Sequence, residues 1–170
     1  MIAQSARTGV ATALLCGSML AFGAFAADTS ASDASASSQT AAAVAGNWLT
    51  EPRDGIIQLS VSADGSLEGR IVGGNAPQRT DEKNPDPALR SKLLRGQVIV
   101  HDMKYDGDSS WSGGTIYDPD SGRTYRCNMT LIGNDQLKVR GYIGFSLLGR
   151  TQLWTRYTGE SLDLPPATDK

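Results

Sequence analysis

The residues best suited to binding chemistry crowd into the last third of the chain, where Tyr117, Tyr125, Arg140, Tyr142, Arg150 and Trp154 fall together with Asp118. Aromatic faces can hold an apolar body while phenol and guanidinium groups orient a polar head, so the set could line the mouth of a small-molecule pocket. Within it, Tyr125 shares its parity with Cys127, Met129 and Leu131, which favours core packing, whereas Arg140 takes the opposite parity from Leu137 and Val139 and belongs on an exposed or mouth-facing position.

Catalytic chemistry is poorly supplied. The chain has one histidine, His101, and neighbouring residues of a strand face opposite ways, so the adjacent Asp102 cannot orient it as a base. One histidine and no cysteine pair within the folded part leave no common zinc ligand set. Asp118 and Asp120 begin like a calcium loop, but Arg123 stands where that loop needs glycine and Met129 where it needs a bidentate Glu; a β-turn over Asp118-Pro119-Asp120-Ser121-Gly122 accounts for them. Gly73-Gly74 and Gly113-Gly114 precede no helix bearing the Lys of a phosphate loop. The expectation is therefore a protein with no catalytic residues, no metal and no cofactor.

The elements that must position these groups are strands. Period-2 alternation between turn signals predicts eight of them: 46–51, 56–62, 67–72, 97–104, 110–117, 124–131, 136–143 and 150–157. Asp64-Gly65 and Asp106-Gly107 are hairpin signals, and Gly133-Asn134-Asp135 makes a further reversal. With one apolar face and almost no helical pattern, the fold class is all-β, a single up-and-down antiparallel barrel of about eight strands, because closure removes exposed edges. Gly113, Gly114 and Gly141 fall inside strands, where glycine marks a bulge, a corner or a close backbone approach. One connection is long. Residues 73–95 hold Pro77, Pro85 and Pro87, and Asp86 as N-cap, Pro87 at the first position and Leu89 with Leu93 as an apolar stripe predict a short helix able to close one mouth.

The ends have a different character. Arg7, the apolar run 10–22 and Ala24-Phe25-Ala26 read as a signal peptide over residues 1–26, cleaved after Ala26, and the run is too short for a membrane span. No transmembrane segment is expected in the mature chain, which would be periplasmic or secreted. Residues 27–44, an Ala/Ser-rich tract without aromatics, are expected to be a disordered spacer, 45–158 the barrel domain, and 159–170, with Pro165-Pro166, a flexible tail. Cleavage removes Cys16 and leaves Cys127 as a small buried hydrophobe without a disulfide partner. Residues 45–158 carry 14 Lys and Arg against 13 Asp and Glu, interspersed, so nucleic acid is not an expected partner.

Gly46-Asn47-Trp48 resembles the Gly-x-Trp opening of lipocalin and calycin barrels, and Arg156 in the last strand resembles their Trp-packing arginine. The resemblance implies a seam in which Gly46, Trp48 and Arg156 fasten the first strand to the last. The stretches DEKNPDPALRSK, WSGGTIYDPDSGRTYRCNMTL and LKVRGYIGFSLLGRTQLWTR resemble a bacterial exported family known as domain of unknown function 2147. That likeness implies an envelope location and a lipocalin-like barrel, and brings no reaction with it. The leading expectation is a binder of a small apolar or amphipathic ligand. The alternative is a scaffold for an envelope protein, with a barrel filled by its own side chains and no small-molecule ligand.

Overall fold

The computed structural model describes residues 41–145 and 147–166. The expected signal peptide, residues 27–40 of the expected spacer, and residues 167–170 lie outside them.

Eight antiparallel strands form a closed barrel: β1 (Gly46–Leu49), β2 (Gly55–Val61), β3 (Leu67–Gly74), β4 (Val98–Gly107), β5 (Ser110–Asp118), β6 (Arg123–Ile132), β7 (Gln136–Tyr142) and β8 (Gly149–Arg156). Each pairs with the next, and β1 pairs with β8, Trp48 opposite Arg156 and Leu49 opposite Thr155. The expected up-and-down barrel is borne out. Alternation sets the interior: Cys127, Met129 and Leu131 of β6 and Leu137 and Val139 of β7 are buried, whereas Lys138 between the last two is exposed. Along β8 the inward positions run Arg156, Trp154, Gln152, Arg150 from one end of the barrel to the other.

Closure needs bends, and glycines supply them. Register in the β5–β6 pair slips between Trp111 and Gly114, with Gly113 at φ 77°, so three steps on β5 match two on β6. A Cβ on Gly114 would stand 2.2 Å from the His101 carbonyl oxygen, and only glycine lets the strands approach there.

Four expectations need correction. The β4–β5 turn is Asp108-Ser109, both with positive φ, rather than Asp106-Gly107; Gly107, at φ 95°, remains in the strand as a bulge opposite Ser110. The helix is one 3-10 turn, Pro87–Leu89, with Asp86 capping the Ala88 amide as expected. However, it buries nothing, and Leu94 rather than Leu93 anchors the loop, being 6% exposed against 44%. Residues 41–44 are packed: Val44 is fully buried and its carbonyl accepts from the Trp48 indole at 2.8 Å, so the ordered part reaches back beyond residue 45. Finally, the first part of the tail is docked. Gly74 N donates to Leu162 O at 2.9 Å, Leu164 N to Gly74 O at 3.0 Å, and Asp163 pairs with Arg95. A Cβ on Gly73 would sit 2.1 Å from the Leu162 oxygen, so the two glycines, lacking side chains, admit the returning backbone.

Candidate ligand-binding cavity

The barrel is filled at one end and hollow at the other. At the filled end, the Arg156 guanidinium carbon lies 4.3 Å from the Trp48 ring centroid, a cation–π stack. Its three nitrogens donate to backbone carbonyls: Nε to Asn134 at 2.6 Å, Nη1 to Ala45 at 3.0 Å and Nη2 to Ala43 at 2.8 Å. Gly46 has φ 128°, a conformation that favours glycine, and a Cβ there would also press on Nη1 at 3.0 Å. Trp111, Met103, Met129, Leu59, Leu67 and Leu137 complete this plug.

Above it opens a cavity of about 860 Å³. Its body is apolar, made by Ile57, Ile71, Ile99, Ile116, Val139 and the buried Trp154. Polar groups gather towards the rim, Asp54, Arg79, Arg95, Asp118, Asp120 and Arg150 among them. The Gln152 side-chain oxygen accepts from the Trp154 indole at 2.8 Å, leaving the amide nitrogen of this cavity-lining residue without a partner among the described residues. Nearer the rim, Tyr125 Oη lies 3.3 Å from Ser121 Oγ, and exposed Arg150 stands at the mouth. Gly141 leaves room in the wall for a Cβ, which would be in ordinary contact, 3.5 Å from Tyr125 Cβ and 3.7 Å from Ile116 Cγ2.

The long β3–β4 connection forms part of the rim, contributing Asn75, Ala76, Pro77, Arg79, Leu94 and Arg95. Its anchor is Asp81, fully buried, which accepts from Tyr117 Oη at 2.7 Å and from the Asn84 amide at 2.7 Å. Desolvation, then the hydrogen bond to Asp81 and the charges of Asp81 and Asp118, push the Tyr117 phenol up to about 12. Arg79 pairs with Asp120 of the β5–β6 turn, fixing the loop at a second point. Asp118 and Asp120 serve that turn, Asp118 Oδ1 accepting from the Asp120 amide at 2.9 Å and Oδ2 from Ser121 Oγ at 2.7 Å.

Residues 46–156 match the family described as "Uncharacterized protein conserved in bacteria (DUF2147)". The chain belongs to this family. No curated protein matches it. A solved structure similar to this DUF2147 barrel is protein HP1028 from Helicobacter pylori, described as belonging to the lipocalin family; it is 22% identical with a TM-score of 0.61, over 69% of this chain and 84% of that one. The likeness is one of fold.

Of the six residues singled out from sequence, Tyr117, Tyr125, Tyr142, Arg150 and Trp154 border the cavity of this DUF2147 member. Tyr117 is committed to Asp81, and Tyr142 turns its hydroxyl to Asn128, 3.5 Å away on the outer wall. Arg140 is not part of the lining; its guanidinium donates to Thr151 Oγ1 at 2.8 Å and to the Leu147 carbonyl at 3.3 Å. Sequence reasoning missed Gln152, Ile71, Ile99, Leu94 and Gly141. The parity of Trp154 on β8 was a usable signal for Gln152, whereas Leu94 carried none beyond its apolar character.

Proposed function

We propose that this protein binds one small apolar or amphipathic molecule in the open half of its barrel, in the periplasm or outside the cell after removal of its signal peptide. The observation that carries this reading is the cavity itself. About 860 Å³ lies within the range of small-molecule sites, and an apolar body with polar groups gathered towards its rim is an arrangement that can orient an amphipathic guest. The filled-barrel scaffold would require the tryptophans to occupy the interior, yet Trp48 and Trp111 belong to the closed end and Trp154 forms cavity wall. An apolar chain would lie against Ile57, Ile71, Val139 and Trp154, with its polar end towards Gln152 and Arg150.

Titration with a fluorescent polyene fatty acid tests this, together with native mass spectrometry of protein purified from its own envelope. Saturable one-to-one binding, or a co-purified molecule released on denaturation, is the expected result. No uptake of the probe and no retained mass would overturn it.

A further inference from the structure

The β7–β8 loop carries the most exposed large apolar side chains among the described residues: Ile143 at 57%, Phe145 at 81%, Leu147 at 88% and Leu148 at 77%. Single exposed hydrophobics are ordinary, but four within six positions are not. The described residues of the loop are held by specific contacts. Leu148 N donates to Phe145 O at 3.0 Å, Gly144 takes φ 72°, and Arg140 reaches up from the outer wall to the Leu147 carbonyl. Ile143, Leu147 and Leu148 border the cavity mouth, whereas Phe145 stands clear of it.

The strands that carry the loop bring cations to its base. Arg140 and Arg150, next to the loop on the β7–β8 ladder, supply two cations, and residues 136–159 hold no acidic residue. Nearby carboxylates are engaged: Glu51, beside Arg150, with the Leu153 amide, Asp120 with Arg79, Asp163 with Arg95, Asp118 within its turn and Asp54 with the Thr50 hydroxyl. Apolar side chains at a tip with arginines behind them match the interfacial region of a bilayer, where the apolar groups enter the acyl boundary and the cations meet anionic headgroups. A specific protein partner would need about 800 Å² of matched surface on each side, more than one loop tip flanked by polar strands supplies.

We propose that the apolar tip made by Ile143, Phe145, Leu147 and Leu148 inserts into the surface of a bilayer containing anionic lipid and seats the open mouth of the barrel on the membrane. Docking of this kind stands apart from occupancy of the cavity. The test is co-sedimentation of the full mature chain with vesicles of phosphatidylethanolamine and phosphatidylglycerol, against vesicles of phosphatidylcholine alone. Association with the anionic vesicles, weaker on the neutral ones, is expected, and Phe145→Asp should reduce it roughly tenfold or more. The same variant should keep its affinity for the polyene probe, because Phe145 is outside the cavity wall, so loss of docking and loss of cavity binding are read separately. In a second variant, Phe145→Trp, the new indole should shift its emission to the blue on anionic vesicles. A wild-type chain that ignores both vesicle types, including one that self-associates through the loop instead, overturns the proposal, as does association untouched by Phe145→Asp.

Discussion

The two ends of the barrel use the same strands for opposite purposes. At the closed end Trp48, Leu59, Leu67, Met103, Trp111, Met129 and Leu137 are each 2% exposed or less, and Arg156 ties three separate carbonyls together beneath them. At the open end the wall loses bulk at Gly141, and the rim is assembled from loops held by individual polar contacts, Tyr117 to Asp81 and Arg79 to Asp120. Stability is thus concentrated where the barrel is filled, which leaves the hollow half able to present unsatisfied apolar surface. Regions with few buried contacts are the ones that open most readily, and the open end is where such opening would admit a ligand.

The comparison breaks first at the seam. Arg156→Ala removes the stack on Trp48 and leaves the Ala43, Ala45 and Asn134 carbonyls without their donor, a loss of roughly 2 to 4 kcal/mol. Chemical denaturation should show it, and unchanged stability would mean that closure does not depend on the arginine.

A smaller effect is expected from the open end. Tyr117→Phe leaves one oxygen of the fully buried Asp81 without a donor, at a cost of about 1 to 3 kcal/mol. The loss should be local, so trypsin should cut faster at Lys83, Arg90 and Lys92 while the closed end keeps its protection from hydrogen exchange.

Alkaline pH sharpens the contrast. Tyr117 is raised from 10.0 to about 12 and Cys127, by burial, from 9.0 to about 12. A raised acid favours its protonated form in the folded state, so both contributions are complete below their ordinary values and are lost as pH climbs, from about 9 for the thiol and 10 for the phenol, through 12. Melting temperature should fall over that window, and iodoacetamide at neutral pH should modify Cys127 only after unfolding.

The smallest effect is expected at the β2–β3 hairpin of the closed end. There the Ser66 hydroxyl and then its amide, with Lys104 contributing, hold Asp64 at about 2 instead of 3.8. A lowered carboxylate contributes above its ordinary value and loses that contribution as pH falls through 2. Asp64→Asn should therefore lower the melting temperature slightly at neutral pH, with the difference from wild type shrinking in acid.

Much of the closed end was legible in the sequence and much of the open end was not. Strands β1 to β8 announce themselves because each half-buried strand alternates and each hairpin carries glycine or Asp/Asn, and the Gly46-x-Trp48 opening with Arg156 is a local pattern at each end of the chain. The rim has no such pattern. Docking of Leu162 on Gly73 and Gly74 depends on two backbones meeting across about ninety residues, which the missing side chains permit but do not announce. The same holds for cavity depth, since it follows from bulges and from the small size of Gly141. The Asp106-Gly107 signal misplaced its turn because Asp108 and Ser109 take positive φ themselves and Gly107 is used as a bulge.

The central claim is that the hollow half binds and the filled half holds the fold, and Gly141→Phe tests it most directly. Gly141 faces the cavity above Val139 and Gln152, and the site tolerates a Cβ, so an aromatic ring there should cap the deep part of the cavity. Titrated beside wild type with the polyene fatty acid, the variant should bind at least about tenfold more weakly while losing less stability than Arg156→Ala. Undiminished probe binding in a folded Gly141→Phe chain would contradict the account.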